Sequence, residues 1–456
     1  MNPTRRHFLG AAGASLGVPL LANQVAAPAT KTSPNDKIQV ALIGCGGMGQ
    51  GDAKSSTATG MTKLVAACDC YDGRLEHMKE VYGRDIFTTK NYEEILSRKD
   101  IDAVLIGTPD HWHRPVTVAA LKAGKDVYCE KPMVHTVDEG HTVVDAQHQS
   151  GRILQIGSQR VSSIIYAKAR DLYQQGAIGE LNMVEAWWDR NSAVGAWEYT
   201  VPLDASTETC DWNQFQGDAP KTEWDPHRFF RWRCYRDYGT GVAGDLFVHL
   251  FSGLHFITGS LGPTRAFATG GLRFWNDGRE VPDVLLGLFD YPKTPQHPAF
   301  NLVLRVNFES GGEETEGFRF IGSRGIMTVG HTVTLNSTTE PTDPGWSIDT
   351  FSKKIQEEYK KEYFAKYPHS FLNPNTRLSA ASMRPARHEV FSPPHGYSDH
   401  LDHHRNFAMA IRTRKPVVED AVFGFRAAGP ALLSNISYFE KKEVYWDPVS
   451  MNITKA

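Results

Sequence analysis

A lysine that follows a predicted strand is the first residue with a chemical role to explain. The motif Glu130-Lys131-Pro132 comes directly after strand-like residues Asp126–Cys129. Proline fixes φ and has no N–H, so Pro132 ends the strand and restricts the direction of Lys131. A lysine held there can hydrogen-bond a substrate hydroxyl and stabilise negative charge that develops on its oxygen. The alternative for this motif is an ordinary solvated lysine.

A second motif pairs a carboxylate with an imidazole. In the stretch Gly239–His249 a glycine-rich loop enters a predicted helix, and Asp245 lies four residues before His249, on the same helix face. A carboxylate that orients an imidazole and tunes its pKa makes the imidazole an effective base. The structural alternative is an aspartate near a helix start and a core histidine. A metal site uses the same spacing, but no third ligand is evident, so no metal is predicted.

A glycine-rich turn near the start of the chain offers a place for a nucleotide. Residues Lys37–Ile43 have strand character and run into Gly44, Gly46 and Gly49, the pattern G-x-G-x-x-G. The first glycine permits a tight turn, the second lets the backbone approach a pyrophosphate, and the third lets the next helix lie close on the sheet. That helix directs its N-terminal amides at the phosphates. The pattern predicts dinucleotide binding.

An acidic residue at the end of the next predicted strand supports this interpretation. Thr62–Cys68 is predicted as that strand, and Asp69 ends it. Dinucleotide folds place an acid about 20 residues beyond the glycines, where it accepts hydrogen bonds from the adenosine ribose. Because a carboxylate repels a 2′-phosphate, the sequence favours NAD, whereas Arg74 nearby keeps NADP open.

Most of these residues come directly after strands of one alternating region. Residues 35–157 alternate strand and helix patterns, which predicts a doubly wound, parallel α/β sheet of the Rossmann type. Ligands of such sheets lie beyond the carboxyl ends of the strands. His111 and His113 follow the strand at Ile101–Gly107, so one of them is expected to line the cleft. The residues predicted to bind the cofactor are Gly44, Gly46, Gly47, Met48, Gly49, Asp69, Thr108, Pro109, His113, Glu130 and Lys131.

The second half of the chain has a different pattern. Longer strands are predicted, joined by turns and irregular segments rather than by regular crossover helices. This indicates an α+β domain with an open, mostly antiparallel sheet. The predicted strands are Leu181–Asp189, Ala266–Leu272, Leu285–Asp290, Leu302–Phe308 and Phe318–Val329.

Length, charge and cysteine content limit the class of protein. A chain of 456 residues is too long for a single core. The sequence patterns predict an export signal at residues 1–30, a NAD-binding Rossmann domain at 36–157 and a substrate and oligomerisation domain at 158–456. A net charge of -3 excludes an electrostatic nucleic-acid binder. No apolar stretch of about 18 residues follows the signal, so no membrane span is predicted. Six cysteines do not make a disulfide framework here, although Cys210 and Cys234 could pair.

The first 30 residues have the order of an export signal. Arg5-Arg6 precedes Phe8-Leu9 and a Gly/Ala-rich run from Gly10 to Ala22. Paired arginines before Phe-Leu resemble a twin-arginine signal. That route exports folded proteins, so a periplasmic or otherwise exported protein is expected, with its cofactor loaded in the cytoplasm. A cytosolic N-terminus with incidental arginines is the alternative.

Together these motifs resemble the glucose–fructose oxidoreductase / inositol dehydrogenase family, Gfo/Idh/MocA. The resemblance spans most of the chain after the signal, and the ordered combination is more specific than any member of it. It also includes segments of the second sheet and of the C-terminal region. The residues that carry it are Gly44, Gly46, Gly49, Thr108-Pro109, His113, Glu130-Lys131-Pro132, Asp245, His249, Phe318–Gly325, Asn406-Phe407 and Arg412–Pro416.

The resemblance implies reversible oxidation of a sugar or cyclitol hydroxyl with NAD. It assigns the family's catalytic set to Lys131, which binds the reacting oxygen, Asp245, which orients the base, and His249, which takes the hydroxyl proton while hydride passes to the nicotinamide. It also implies a homo-oligomer, a dimer or a tetramer. Because sugars pack on aromatic faces and bond to arginine, the substrate-binding candidates are Trp112, Arg160, Tyr166, Trp232, Arg233 and Tyr235.

Three functions fit these expectations. The first is an exported NAD(P)-dependent oxidoreductase that acts on a hydroxyl of a sugar, cyclitol or glycoside with tightly held cofactor. The second is a redox-neutral glycosidase of the same fold, which oxidises transiently, eliminates and re-reduces, with an acid/base from Trp232–Tyr238. The third is a binding protein that keeps the fold without catalysis, against which Lys131, Asp245 and His249 argue.

Overall fold

The computed structural model describes residues 37–338, 347–366 and 385–455. The predicted export signal, residues 1–30, lies outside the described residues. The described helices are α1 (Gly47–Ala58), α2 (Asp72–Tyr82), α3 (Tyr92–Ser97), α4 (His113–Lys122), α5 (Gly140–Ser150), α6 (Ile164–Gln174), α7 (Trp212–Gln216), α8 (Pro226–Phe230), α9 (Val248–Thr258), α10 (Lys353–Lys366), α11 (Asp399–Thr413) and α12 (Ala421–Glu440). In this part of the chain, no helix is both long and apolar enough to cross a bilayer.

The first sheet is parallel throughout and has six strands in the order β3-β2-β1-β4-β5-β6. Its central strands are buried on both faces, as near-continuous apolar sequences require. This confirms the predicted Rossmann sheet. The strands are β1 (Ile38–Ile43), β2 (Thr62–Cys68), β3 (Phe87–Thr89), β4 (Ala103–Ile106), β5 (Asp126–Glu130) and β6 (Leu154–Gly157).

The second sheet has ten strands in the order β14-β13-β12-β11-β7-β10-β9-β8-β15-β16. Among the described strands of this second sheet, only β7 and β10 pair in parallel, which confirms the predicted open, mostly antiparallel sheet. The strands are β7 (Leu181–Asp189), β8 (Arg265–Gly271), β9 (Val284–Tyr291), β10 (Phe300–Asn307), β11 (Thr315–Gly322), β12 (Gly325–Val329), β13 (Val333–Thr338), β14 (Pro385–Phe391), β15 (Val444–Asp447) and β16 (Asn452–Thr454).

One predicted strand of this sheet is divided in two. The prediction of a single strand at Phe318–Val329 is wrong, because the chain turns at Ser323-Arg324 and pairs β11 with β12 as a hairpin. Gly322 and Gly325 flank the turn and face each other in the ladder. A Cβ on Gly322 would come within 2.2 Å of the Ile178 carbonyl oxygen, so the close approach requires glycine there.

Helix α12 lies between the two sheets. It contacts β6 on one side, where a Cβ on Gly424 would come within 2.6 Å of the Ile156 side chain. It contacts β8 on another side, where the backbone N–H of Ala268 donates to the Ser437 hydroxyl at 2.8 Å. Helix α9 packs on α12 as well. The residues after β5 and those at the start of α9 are thereby brought to the same region.

A buried carboxyl group joins the same layers. Glu419 is fully buried, accepts a hydrogen bond from the Ser252 hydroxyl at 3.0 Å, and its carbonyl accepts from the backbone N–H of Ile156 at 2.9 Å. Burial raises the pKa of Glu419 to about 8. The side chain is therefore protonated at neutral pH in the folded protein. The stability that it contributes is fully present below its unfolded pKa and decreases as pH rises from there toward the folded pKa of about 8.

We expect Glu419→Gln to be more stable relative to the parent protein as pH rises. Between pH 5 and 7.5 the difference in unfolding free energy should grow by about 1.4 kcal/mol per pH unit, because glutamine does not ionise. Denaturant unfolding at several pH values measures this difference. Glu440→Gln, on the exposed end of α12, is the control and should give a difference that does not change with pH. A pH-independent difference for Glu419→Gln would contradict the prediction.

Candidate active site

The glycine-rich turn connects β1 to α1. Gly44 has φ +93°, and a Cβ there would lie 2.5 Å from the carbonyl carbon of Gly107. A Cβ on Gly49 would lie 2.0 Å from the Gly44 carbonyl oxygen, so this glycine lets α1 approach β1 closely. Gly46 and Gly47 face open space, with no atom nearer than 4.0 Å to an added Cβ. The backbone amides at the start of α1 are accordingly open to an anion.

Asp69 lies at the end of β2, beside this turn. Its carboxylate accepts hydrogen bonds from the backbone N–H groups of Cys45 at 2.8 Å and Tyr71 at 2.9 Å. Arg74 lies 3.5 Å from the same carboxylate. A carboxylate has about four acceptor positions, so Asp69 keeps acceptor capacity for ribose hydroxyls. The arginine beside it is the feature that keeps a 2′-phosphate possible.

A crevice of about 860 Å³ opens at this edge of the parallel sheet. It lies where the strand order reverses between β1 and β4, the position at which open α/β sheets bind their ligands. Thr108 lines it and has a buried hydroxyl without a hydrogen-bond partner. The predicted cofactor residues that line it are Gly44, Gly46, Gly47, Met48, Asp69, Thr108 and Pro109.

The remaining predicted cofactor residues support the crevice from behind. His113 is buried, and its ring nitrogens lie 2.6 Å from the Pro132 carbonyl oxygen and 3.0 Å from that of Thr108. It braces the ends of β4 and β5 against each other. Glu130 turns into the interior, where the Gln159 amide donates to its carboxyl at 2.6 Å. Neither His111 nor His113 belongs to the crevice lining, contrary to expectation, and the Glu130 side chain is buried, so a role of Glu130 in cofactor binding stays a prediction.

Lys131 meets Asp245 directly. The Lys131 ammonium donates to the Asp245 carboxylate at 2.6 Å and to its backbone carbonyl at 2.9 Å. Only about a tenth of each side chain is exposed. The two residues are 114 positions apart, so the contact depends on the packing of the two sheets. The ammonium nitrogen has three N–H groups, which leaves one for a further acceptor.

Two arginines approach the same carboxylate. The Nε atom of Arg233 lies 3.4 Å from Oδ1 of Asp245, and an Nη atom of Arg190 lies 3.9 Å from Oδ2. Burial alone would raise the pKa of Asp245, but Lys131, Arg233 and Arg190 together hold it well below its usual value. Arg233 also lines the crevice, so it connects the Lys131–Asp245 pair with the cofactor region.

The expected hydrogen bond between Asp245 and His249 is not formed, which corrects the prediction that this carboxylate orients the imidazole. Residues Ala243–Phe247 form a π-helical turn before α9, so the spacing no longer matches that of an α-helix. The carboxylate is instead occupied by Lys131 and the arginines. Asp245 therefore positions Lys131. π-Helical turns of this kind occur frequently at functional sites.

His249 lies one turn further, next to Trp188. Their ring centroids are 5.0 Å apart, and Nδ1 of His249 is buried without a hydrogen-bond partner. Burial first, then the charges of Lys131 and Arg160, lower the pKa of His249 well below its usual value. The imidazole is therefore neutral at pH 7, which is the state in which it can accept a proton.

The substrate-binding candidates are distributed over three places. Trp112, Trp232 and Arg233 line the crevice. Arg160 lies 4.7 Å above the Trp188 ring and pairs with Glu316 at 2.6 Å. Tyr166 interacts with Arg160 and is buried against Phe318, and Tyr235 is covered by Arg228 outside the crevice lining.

A segment of which sequence reasoning identified only the part at Trp232–Tyr238 forms the opposite wall of the crevice. We call residues 199–238 the strap. Its backbone pairs with the loop after β2, where the Asp72 N–H donates to the Thr209 carbonyl at 3.0 Å and the Asp211 N–H donates to Cys70 at 2.8 Å. Its residues that line the crevice are Tyr199, Gln214, Phe215, Phe229, Phe230, Trp232 and Arg233.

Side chains fix the strap at other points of the sheet edge. The Tyr71 hydroxyl donates to Asp204 at 2.6 Å, and the Trp112 indole donates to the Phe215 carbonyl at 2.7 Å. An aromatic cluster packs under the strap. Cys210 and Cys234, both in the strap, are free thiols, so the pairing left open by the sequence is not formed. The only sequence signal for the strap was its high aromatic content.

Comparisons with known proteins agree with this geometry. A family model described as an oxidoreductase family with an NAD-binding Rossmann fold, Gfo/Idh/MocA, matches residues 38–158. Inositol 2-dehydrogenase of Salmonella typhimurium is 30% identical over 168 residues, which cover 36% of this chain and 49% of that protein. A glycosyl hydrolase family 109 protein of Shewanella baltica is 30% identical over 213 residues, or 41% of this chain and 46% of that protein. The chain thus spans about half the length of these relatives.

Solved structures extend the likeness to the second sheet. Levoglucosan dehydrogenase, solved with NADH and levoglucosan, has a TM-score of 0.62 at 16% identity and covers 90% of this chain and 99% of its own. The WlbA dehydrogenase of Bordetella pertussis, solved with NADH and UDP-GlcNAcA, has a TM-score of 0.62 at 14% identity over the same shares, 90% and 99%. These identities establish the fold. Residues 38–158 are therefore similar to the NAD-binding Rossmann domain that this oxidoreductase family model describes.

Proposed function

We propose that this protein is an NAD-dependent oxidoreductase that oxidises a hydroxyl group of a sugar, cyclitol or glycoside. The observation that carries the proposal is the pairing of Lys131 with Asp245 at 2.6 Å beside a neutral, largely buried His249. Arg233 joins this group to the crevice beyond the glycine turn. The relatives named as inositol dehydrogenases support the reaction class.

The residues of the chain would divide the reaction as follows. When bound, NAD supplies the acceptor for the hydride that leaves the carbinol carbon. His249 accepts the hydroxyl proton, so the carbinol loses one hydride and one proton and becomes a carbonyl. Lys131 donates a hydrogen bond to the oxygen and stabilises its negative charge as the proton leaves. Asp245 holds the lysine ammonium in place through the hydrogen bond at 2.6 Å.

The strap supports tight retention of the cofactor. Its aromatic residues face the glycine turn across the crevice, and its backbone is tied to the loop after β2. Release of the adenosine end would require part of this segment to separate from the sheet edge. Retention of the cofactor suits an exported enzyme, and we include export by the twin-arginine route and a periplasmic location in the proposal. The proposal also includes assembly as a dimer or tetramer and a domain boundary between residues 157 and 158.

A second candidate, a redox-neutral NAD-dependent glycosidase, is favoured by the same strap. An enzyme that returns the hydride to its own product has no need to exchange cofactor between turnovers. The relatives named as glycosyl hydrolase family 109 proteins support this alternative. In this reaction, oxidation of one ring carbon acidifies its neighbour and permits loss of the aglycone, after which water adds and the ring carbonyl is reduced.

Incubation with aryl glycosides and with the matching free sugars separates the two candidates. Aglycone release and the absorbance of reduced cofactor are followed together in protein loaded with NAD. Net accumulation of NADH with the free sugar identifies the oxidoreductase. Aglycone release without net reduction identifies the glycosidase. If the protein has NAD bound but gives neither aglycone release nor NADH with a broad set of sugars, both candidate functions are contradicted and a binding protein is supported.

We expect loosening of the strap to accelerate release of NADH. Tyr71→Phe and Asp204→Ala each remove the hydrogen bond between these side chains, and a bond to a charged group contributes about 1.5–3 kcal/mol. The dissociation rate should therefore rise about tenfold or more, and the double variant should add little. Displacement of NADH followed by fluorescence measures the rate.

Tyr445→Phe provides a matched control. Its hydroxyl donates to Glu443 at 2.8 Å, also a tyrosine–carboxylate bond, but at the exposed edge of the second sheet. This variant should release NADH at the parent rate. Equal rates in the parent protein and in both strap variants would show that the strap does not retain the cofactor.

A further inference from the structure

The region around Asp245 holds more positive charge than its contacts require. Lys131, Arg190 and Arg233 all lie within 4 Å of its carboxylate. In the described part of the chain, no other carboxylate lies within 4.0 Å of either arginine. Three cations therefore contact one carboxylate in a region where charges are largely withdrawn from water, and Glu314 and Asp110 act on Arg190 and Arg233 only from beyond 4.0 Å. Such an excess of like charge is unfavourable unless another anion compensates it.

Both arginines keep nitrogen atoms available for a ligand. Arg190 uses one Nη atom, which donates to the Gly195 carbonyl at 2.7 Å, and Arg233 directs Nε at Asp245. Within the described residues, the second Nη atom of Arg190 and both Nη atoms of Arg233 make no hydrogen bond. The two side chains are 19% and 21% exposed, so a ligand can reach them. A guanidinium group binds carboxylate and phosphoryl oxygens in a fork geometry.

The cofactor accounts for at most one of the two arginines. The anionic part of NAD is its pyrophosphate, for which the open amides at Gly46 and Gly47 are available. Arg233 lines the crevice and faces that region, whereas Arg190 does not line the crevice. Arg190 follows β7 and approaches the opposite oxygen of Asp245. Its charge therefore lies next to Asp245 and outside the lining of the cofactor crevice.

The nearby Arg160 differs from these two residues. Its guanidinium pairs with Glu316 at 2.6 Å, a carboxylate that it does not share with Lys131, so its charge is already compensated. Trp188 separates it from His249, since it contacts both side chains. The uncompensated charge is thus confined to the side of the site that holds Arg190 and Arg233.

We propose, resting on the function proposed above, that the substrate carbohydrate carries an oxyanion close to the carbon that is oxidised. A carboxylate or a phosphoryl group bound by Arg190 and Arg233 would neutralise the excess charge and fix the hydroxyl between Lys131 and His249. Sugar acids and sugar phosphates share this chemistry. With a neutral sugar, both guanidinium groups would share the single carboxylate of Asp245 with Lys131.

Binding to the protein loaded with NADH tests this proposal without requiring turnover. The probes are D-glucose, D-glucuronate and D-glucose 6-phosphate, titrated by calorimetry at constant ionic strength. We expect one of the charged sugars to bind at least about tenfold more tightly than glucose, the effect of a charge-assisted hydrogen bond. The glucuronate and phosphate arms show which oxyanion the site accepts.

Variants assign the effect to the arginines. Arg190→Gln and Arg233→Gln should each remove the preference for the charged sugar. Arg190→Gln should keep the affinity for NADH, because Arg190 does not line the crevice, and Arg190→Lys should restore part of the preference. Arg319→Gln, on the exposed face of β11 and paired with Glu185, should behave as the parent protein. The NADH affinity, measured first, separates failure of cofactor binding, which contradicts the proposed function, from failure of this proposal.

Three results would overturn the proposal. Glucose could bind as tightly as both charged sugars, neither charged sugar could bind to the NADH-loaded protein, or the glutamine variants could lose NADH affinity instead of the charge preference. The last result would assign both arginines to the cofactor pyrophosphate.

Discussion

Lys131→Met should lower kcat about 10²–10³-fold, the effect of removing one donor to a developing oxyanion. The side chain keeps its length and loses its charge, so the site loses the ammonium that Asp245 orients. The affinity for NADH should remain within about twofold of the parent value, because Lys131 does not line the crevice. Steady-state rates with a sugar or aryl glycoside that turns over, and NADH fluorescence titration, measure the two quantities.

Lys168→Met is the control for charge removal. Lys168 lies on α6 and pairs with Glu389 at 2.9 Å, away from the crevice. Its variant should keep the parent kcat. If Lys131→Met also kept full turnover, the assignment of a catalytic lysine would be wrong and a binding protein or a different site would be favoured.

His249→Gln should lower kcat/KM about 10²–10⁴-fold and change its dependence on pH. The imidazole must be neutral to accept a proton, and protonation at low pH removes the base. Because burial and neighbouring cations lower the pKa of His249, the fall in kcat/KM on the acid side should lie well below pH 6.5 in the parent protein. Glutamine cannot take up the proton, so this acid-side fall should disappear from the residual activity.

His148→Gln serves as the control for the pH profile. His148 is exposed in the last turn of α5, and its variant should keep the parent profile. An acid-side fall that persisted in His249→Gln would assign the base to another residue. A fall centred at or above pH 6.5 in the parent protein would contradict a neutral, buried imidazole.

The parts of the site formed by neighbouring residues could be predicted from the sequence. Gly44, Gly46 and Gly49 follow an apolar strand, and their spacing is a short motif that neighbouring residues alone reveal. The position of Asp69 beside the glycine turn could be predicted in the same way, because it ends the next strand. The pattern of strands and helices likewise determines a parallel sheet, because crossover helices join strands that run in one direction.

Contacts between distant residues could not be predicted in the same way. The bond between Lys131 and Asp245 joins two sheets, and only the family resemblance placed these residues in one site. The spacing of Asp245 and His249 suggested a pair, but the π-helical turn and the cations around Asp245 changed the partner. Glu130 was expected at the cofactor, whereas Gln159 draws it inward.

The strap shows the same limit more clearly. Its position depends on bonds between its backbone and loops far away in sequence, such as that of the Trp112 indole to the Phe215 carbonyl. No short motif encodes such bonds. Arg190 was missed for a related reason, since one charged residue after a strand does not show which carboxylate it will meet.

A crystal structure of the protein with NADH is the most direct test of the central claim. We predict that the pyrophosphate lies against the amides at Gly46 and Gly47, and that the nicotinamide ring faces Lys131 and His249 with room for one carbinol between C4 and these two side chains. A nicotinamide ring bound away from both side chains, or with Lys131 and His249 on opposite sides of it, would contradict the account.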